Sequence, residues 1–103
     1  MPVLGLIVGV DGFNFGAPWL SFDELFKQPL AVLKTYQKPI FIFSFASAAG
    51  EQKAAWIKDA LTVQLEKHPE VQAWIWFHEN KERDWRINSD SGSLAAFRSV
   101  LPN

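Results

Sequence analysis

The run from Lys38 to Ala48, KPIFIFSFASA, constrains the fold of this 103-residue chain more than any other segment. It begins with a proline, where a strand loses least from the missing N–H, and continues with β-branched and aromatic residues. A continuous apolar run of this length, followed by small residues and a glycine, is typical of a strand covered on both faces. Ser44 lies near its carboxyl end, where parallel α/β folds usually place their chemistry.

Composition favours one folded domain that spans residues 1–103. Nine Phe, five Trp and one Tyr, with 49% hydrophobic residues, are too many for a disordered chain. The formal net charge is −1 with no long run of either sign, so neither a nucleic acid nor an anionic membrane surface is an expected partner. The chain has no cysteine, which excludes disulfides and thiol chemistry.

The apolar N-terminal segment, Val3 to Val10, is too short to span a bilayer. It lacks a basic start and runs directly into Asp11, so we do not expect a signal peptide. A chain that starts inside an apolar strand is expected to be truncated. The compartment is not determined by these features.

Two further apolar runs, Gly5–Val10 and Val71–Phe77, predict strands on either side of the central one. Helical patterns follow each strand, over residues 21–36, 52–68 and 94–101. Ser21 and Glu24 form a capping-box pattern at the first helix, which Pro29 is expected to interrupt. Ser93 is a candidate cap for the last helix.

The order βαβαβα predicts parallel strands joined by right-handed helical crossovers, which is an α/β fold. The candidates are a small open sheet and three units of a (β/α)₈ barrel, since a whole barrel needs about 250 residues. In a barrel segment with Ser44 facing inward, simple alternation puts Ile40 and Ile42 inward and Phe41, Phe43 and Phe45 under the helices. The inner face would then be apolar and uncovered, so the chain should associate with something.

Three segments together resemble glycoside hydrolase family 26: VGVDGFNFG (8–16), KPIFIFSFASAAGEQKAAWIKDAL (38–61) and VQAWIWFHENKERDWRINSDSGSLAAFR (71–98). The KAAWI and DWRI blocks are the most specific parts. That family contains β-mannanases and related endo-β-glycanases, which are retaining (β/α)₈ enzymes. The resemblance covers nearly the whole chain, and it implies three parallel βα units of a partial barrel, with strands equivalent to the sixth, seventh and eighth.

The resemblance also implies that catalysis is incomplete. The family's nucleophile is a glutamate at the end of the seventh strand, and alignment on the proline and the Phe-Ala-Ser places that position at Ser44. The family's acid/base glutamate follows the fourth strand, which this chain does not contain. Retaining hydrolysis needs two carboxyl groups about 5–5.5 Å apart, and a serine hydroxyl is a poor substitute for either. No G-x-S-x-G elbow surrounds Ser44 to activate it. We expect no turnover.

Sugar binding is the activity that the chain could retain. Asp11 and Asn14 either line a sugar site or form an Asx turn that closes a loop. Many family members carry an aromatic hydroxyl where this chain has Phe13. Trp76 resembles the tryptophan that floors the subsite at the cleavage point, and Trp85 could also stack on a pyranose ring.

Other candidates have simpler interpretations. Trp56 and Trp74 are expected in the core, and Trp19 is undecided. His78 and Glu79 end the third strand, where they could act in acid/base chemistry or begin a solvated loop. The alternating charges of residues 82–86 indicate a surface salt-bridge cluster. The spacing of the two histidines does not suggest a metal site, and no glycine-rich phosphate loop is present, so no cofactor is expected.

The leading hypothesis is therefore the C-terminal part of a family 26-like barrel that degrades no polysaccharide itself and binds a β-linked saccharide. The alternative is a non-catalytic βα module that self-associates through its open strand face. A third possibility is a hydrolase completed by a partner chain that supplies the acid/base group. Members of that family are commonly secreted, but the compartment of this chain stays open.

Overall fold

The computed structural model describes residues 7–101. Three parallel strands form one sheet in the order β1-β2-β3, and helices alternate with them. This confirms the predicted α/β fold of βα units. The strands are β1 (Val8–Asn14), β2 (Ile40–Ser47) and β3 (Val71–Trp76); the helical segments are α1 (Phe22–Lys34), α2 (Lys53–Lys58), a π-helical segment (Asp59–Gln64), α3 (Leu65–Lys67) and α4 (Ser91–Val100).

β1 ends later than predicted. Gly5 and Leu6 lie outside the described residues, and the strand continues through Asp11 and Gly12, which were expected to form a loop. Both residues pair with β2. The pairing partner thus decides the strand end here, overriding the turn preference of Asp-Gly.

The facing predicted for residues 40–43 of β2 is wrong, whereas Phe45 lies under the helices as predicted; a β-bulge explains the difference. Val10 pairs with Ile42, and the next residue, Asp11, pairs with Ser44, so β2 holds one extra residue at Phe43. Ile40, Ile42 and Phe45 are buried in the core. Phe43 is 47% exposed on the opposite face. The extra residue lets both Phe43 and Ser44 lie on that face, which simple alternation cannot give.

The face that carries Phe41, Phe43 and Ile75, called here the open face, has no helix over it among residues 7–101. Ile75 is 59% exposed and Ile7 is 42% exposed. The uncovered apolar face that the sequence predicts is therefore present. The residues that form it differ from those expected.

The helices cover the other face of the sheet around an aromatic core. Phe45 lies at the centre of this core, within 6.3 Å (ring centroid to ring centroid) of each of its aromatic neighbours, which are Phe22, Phe26, Trp56, Trp74 and Trp76. Trp56 is buried and Trp74 is partly buried against the core, as predicted.

α1 begins with the predicted capping box. The Ser21 hydroxyl accepts a hydrogen bond from the Glu24 N–H, and the Glu24 carboxylate accepts one from the Ser21 N–H, both at 3.0 Å. Pro29 does not interrupt the helix, which continues to Lys34. Proline removes one main-chain hydrogen bond, but the buried residues Phe26 and Leu30 on either side of it hold the helix on the sheet.

The helical stretch predicted over residues 52–68 has the expected extent, but it contains the π-helical segment, which an every-fourth-residue pattern does not reveal. At α4 the cap is Asp90, not Ser93. The Asp90 carboxylate accepts a hydrogen bond from the Ser93 N–H at 2.7 Å, and the helix starts at Ser91. No helix of residues 7–101 is long and apolar enough to cross a bilayer.

Candidate functional site

A pocket lies at the carboxyl ends of β1 and β2, the edge at which parallel α/β proteins usually bind ligands. Its volume is about 560 Å³. We call it the larger pocket. Three loops form its wall, those after β1, β2 and β3: Phe15, Gly16, Ala17, Trp19, Ala48, Ala49, Gly50, Glu51, Gln52, Arg83 and Asp84.

Trp19 forms one side of the larger pocket, and two glycines whose backbone conformation favours glycine lie beside it. Gly16 and Gly50 have φ values of +92° and +152°, which residues with a side chain rarely adopt. A Cβ built on Gly50 would stand 3.5 Å from the Trp19 ring. The next residue, Leu20, accepts a hydrogen bond at its carbonyl from Trp56 Nε1 at 2.7 Å. The core tryptophan thus fixes the loop that carries Trp19.

Arg83 forms the opposite side and joins two loops. Its Nε donates to the Phe15 carbonyl at 3.0 Å, and its guanidinium lies 5.8 Å from the centroid of the Phe15 ring. Nη1 donates to the Glu82 carbonyl at 2.8 Å. No carboxylate of residues 7–101 lies within salt-bridge distance of this guanidinium. Its charge is therefore available to a ligand in the pocket.

Lys53, the first residue of α2, holds the loop after β3 in place. Its buried amine donates to the Asp84 carbonyl at 3.1 Å, to the Arg86 carbonyl at 2.5 Å and to the Ser89 hydroxyl at 2.8 Å. Burial lowers the pKa of Lys53 to about 8, although the nearby carboxylate of Asp84 opposes the shift. This residue positions the Arg83–Asp84 wall.

The charged cluster predicted over residues 82–86 is only partly an ion-pair cluster. Arg86 donates to both Asp84 oxygens, at 2.8 and 2.9 Å, and these hydrogen bonds lower the pKa of Asp84 to about 2. Glu82 instead accepts a hydrogen bond from Trp85 Nε1 at 3.1 Å. Within this cluster Asp84 and Arg86 form an ion pair, whereas Glu82 and Arg83 make hydrogen bonds that hold the loop.

A second, smaller pocket of about 190 Å³ lies beside the larger one. Its lining is almost wholly aromatic, with one carboxylate: Phe13, Phe15, Phe77, Glu82 and Trp85. We call it the aromatic pocket. The structure thus brings together two of the predicted sugar-binding residues, Phe13 and Trp85, whose ring centroids are 5.4 Å apart.

Ser44 and Asp11 are paired neighbours in the sheet. Partners in a parallel sheet share a face, and Asp11 lies between Val10 and Gly12, which both face the helices. Both residues therefore lie on the open face. Ser44 is half-buried and Asp11 is exposed. Ser44 thus lies on the face that the sequence predicts for it.

Asn14 is fully buried, and its side chain closes the loop after β1. Its Oδ1 accepts hydrogen bonds from the N–H groups of Gly16 at 3.2 Å and Leu20 at 2.7 Å, while Nδ2 donates to the Ser47 hydroxyl at 3.0 Å. The bond to Gly16 is that of an Asx turn. Of the two interpretations offered by the sequence, these contacts match the turn.

Trp76 and Trp85, the two tryptophans predicted to stack on a sugar, are both buried. Trp76 is 9% exposed and packs in the helix-facing core against Trp56 and Phe97; its Nε1 donates to the Trp85 carbonyl at 2.8 Å. Trp85 is 1% exposed. His78 is exposed, and its Nδ1 accepts a hydrogen bond from the Ile87 N–H at 3.2 Å. Their roles toward a saccharide stay predictions.

Sequence reasoning did not single out Phe15 and Gln52, which line the larger pocket, or Lys53, which holds its wall in place, and it placed Arg83 only in a surface charge cluster. Each lies in a loop or at a helix end, where the hydrophobic pattern gives no signal. The one sequence feature that pointed to Lys53 is its place in the KAAWI block, a specific part of the family resemblance. In the described part of the chain, no three His, Cys, Asp or Glu side chains are grouped so that they could hold a metal ion.

The chain is 43% identical over 99 residues to Endoglucanase H of Acetivibrio thermocellus, an alignment that covers 89% of this chain. No protein-family model matches the chain. The chain spans 11% of the length of Endoglucanase H. The similarity relates this α/β chain to a segment of a glycoside hydrolase.

Proposed function

We propose that the chain is a segment of a family 26-like glycoside hydrolase barrel that binds a β-linked gluco- or manno-oligosaccharide and, as given, does not cleave it. Three observations support the proposal: the similarity to an endoglucanase segment, the three parallel βα units, and the three motifs that resemble family 26.

The larger pocket supports the proposed sugar binding. Its volume of about 560 Å³ falls in the range of ordinary ligand sites. Trp19 and Phe15 offer apolar ring surface for one face of a pyranose, and Glu51, Gln52 and Arg83 offer hydrogen bonds for its hydroxyls. Aromatic surface with a few polar groups around it is suited to an uncharged sugar.

The open face supports the proposal that the chain does not cleave a bound sugar. Ser44 occupies the position that aligns with the attacking carboxylate, and its paired neighbour Asp11 supplies a single carboxylate. Retaining hydrolysis divides attack and protonation between two carboxyl groups. With one carboxylate at this place, a bound glycoside has no acid/base pair, and we expect it to dissociate unchanged.

Calorimetric titration of the chain with cellotetraose and mannotetraose tests binding. We expect a millimolar dissociation constant that Trp19→Ala weakens by about tenfold, the loss of one stacked ring. Tyr36→Ala, which changes an exposed aromatic residue just after α1, is the matched control and should bind as the wild type does. No heat at about 10 mM sugar, or binding that is insensitive to Trp19→Ala, would contradict the proposal.

Hydrolysis is tested by measuring new reducing ends after prolonged incubation with the same sugars. We expect none from the wild type. Ser44→Glu alone should also give none, and it should give turnover only when five upstream strands with their acid/base group are restored. Cleavage by the wild type that Asp11→Asn abolishes would contradict the non-catalytic reading and make Asp11 a catalytic residue.

The exposed side chains of the open face favour a second candidate, self-association of two copies. Phe43 and Ile75 are large apolar residues on the same uncovered face. Such patches usually mark contact surfaces, and here the face would otherwise be covered by further barrel strands. Sedimentation at several concentrations should show a dimer that the double variant Phe43→Ser, Ile75→Thr dissociates. A compact monomer at all concentrations would count against this candidate.

A further inference from the structure

We propose that the proton on the buried amine of Lys53 controls how firmly one wall of the larger pocket is held, so that sugar binding in this pocket is linked to that proton. The wall consists of Arg83 and Asp84, in the loop after β3. This regulation acts on the proposed sugar site, and it therefore rests on the proposed function.

The amine of Lys53 has one acceptor for each of its three protons. The acceptors are the carbonyl oxygens of Asp84 and Arg86, at 3.1 and 2.5 Å, and the hydroxyl oxygen of Ser89, at 2.8 Å. Lys53 is fully buried, so solvent does not replace a donor that is lost. Only the charged amine, which has three N–H donors, satisfies all three acceptors.

Loss of the proton weakens this hold on the loop. A neutral amine has two N–H donors, so one of the acceptors loses its partner. The Ser89 hydroxyl, which donates to Asp90 Oδ2 at 3.4 Å, can instead turn its proton toward the lone pair of the amine, but its bond to Asp90 is then lost. With either outcome the amine bonds that remain join neutral groups, and these are about half as strong as charge-assisted bonds.

The wall that Lys53 holds carries a side chain that lines the pocket. Arg83 directly precedes Asp84, and its Nε donates to the Phe15 carbonyl in the loop after β1 at 3.0 Å. When the Asp84 carbonyl is held less firmly, Arg83 has more conformations open to it, and a sugar that contacts Arg83 must restrict them on binding. The sugar therefore binds more weakly when Lys53 is neutral, and by reciprocity the sugar-bound protein holds the proton more tightly.

Three charged groups face the amine: the carboxylates of Asp84 and Asp90 and the guanidinium of Arg86. Burial lowers the pKa of Lys53 to about 8; the two carboxylates oppose this shift, and the guanidinium adds to it. The proton is therefore released well below the pH range in which an exposed lysine titrates.

Titration of the full chain with cellotetraose from about pH 6.5 to about pH 9.5 tests the proposal. We expect the dissociation constant to rise about three- to tenfold over this range, because sugar binding takes up the proton that Lys53 has released. Lys53→Met should show no such rise, since every other titrating group is common to the two proteins. Lys58→Met, at an exposed position of the same helix, is the matched control and should behave as the wild type does.

A second measurement on the wild type needs no substitution. The backbone amide NMR signals of Arg83 and Arg86 should shift with pH around a midpoint of about 8, and saturating cellotetraose should raise that midpoint by about half a unit to one unit. Signals that do not titrate near this midpoint would overturn the proposal, even if Lys53→Met failed to fold.

The outcomes separate this regulation from the proposed function. Sugar binding with an affinity that does not change with pH, or with an equal change in Lys53→Met, would overturn the regulation and leave the sugar site standing. Absence of sugar binding at every pH would contradict the proposed function, and the regulation with it.

Discussion

The ring of Phe26 in α1 lies directly against Gly12 of β1: a Cβ built on Gly12 would stand 2.6 Å from Cζ of that ring. Phe26 is fully buried, so the ring has no free space to move into. We expect Gly12→Ala to lower the free energy of unfolding by about 1–3 kcal/mol, the usual cost of forcing extra volume into a packed core. Urea denaturation measures it.

Gly9→Ala is the matched control. A Cβ on Gly9 would stand 1.9 Å from the Phe43 ring, a closer approach than at Gly12. Phe43 is on the open face, however, and its exposed ring can rotate toward solvent. Alanine is also the better strand residue by about 0.5–1 kcal/mol. We expect a smaller loss than at Gly12, and the reverse order would show that the open face is covered in solution.

Asn14→Ala separates a structural role from a sugar-binding role. The change leaves the Leu20 N–H and the Gly16 N–H without their acceptor, in a part-buried loop. We expect the free energy of unfolding to fall by about 2–3 kcal/mol. Asn88→Ala, at an exposed position, should have little effect. Unchanged stability together with lost sugar affinity would assign Asn14 to ligand binding.

The sequence was sufficient to predict the parts of the fold that local patterns determine. Three apolar runs, each followed by a helical pattern, predict parallel strands. The capping box depends only on Ser21 and Glu24, which are three residues apart. The facing of β2 could not be predicted in this way. The bulge at Phe43 inserts one residue of β2 between two successive residue pairs with β1. It is a property of the two paired strands and not of the sequence of β2 alone.

The candidate site was harder to predict for a similar reason. Phe13 and Trp85 were chosen separately, and the structure shows that they line one pocket. The hydrophobic pattern did not single out Lys53, because a lysine at a helix start usually faces water. Its three acceptors lie 31–36 residues further along the chain, which no local pattern can indicate.

Asp90 and Ser93 offer a direct comparison of two caps for α4. The Ser93 N–H, and to a lesser extent its hydroxyl, lower the pKa of Asp90 by hydrogen bonding to its carboxylate. Asp90→Ala should cost about 1 kcal/mol at neutral pH, and Ser93→Ala should cost less, since the N–H remains. The contribution of Asp90 should be lost as the pH falls below about 4, because protonation removes the charge that accepts these bonds. Equal costs would favour Ser93 as the cap.

The buried amine of Lys53 should make stability depend on pH in the alkaline range. Burial lowers its pKa from 10.5 to about 8. Between these values the unfolded chain holds a proton on Lys53 that the folded chain has released, so raising the pH through this window favours the folded state. Below pH 8, the folded protein bears the full cost of burying the charge.

Chemical denaturation of the wild type and of Lys53→Met at several pH values measures this effect. Lys53→Met has no group that titrates at this site, so its stability is the reference against which the pH dependence of the wild type is read. The stability of the wild type relative to the variant should therefore rise between pH 8 and 10.5, by on the order of 1–3 kcal/mol. Lys58→Met, at an exposed position of the same helix, should show no such rise. A constant difference between wild type and Lys53→Met across this window would mean that the amine stays charged in the folded protein. Groups of the loop other than the three acceptors would then have to stabilise that buried charge.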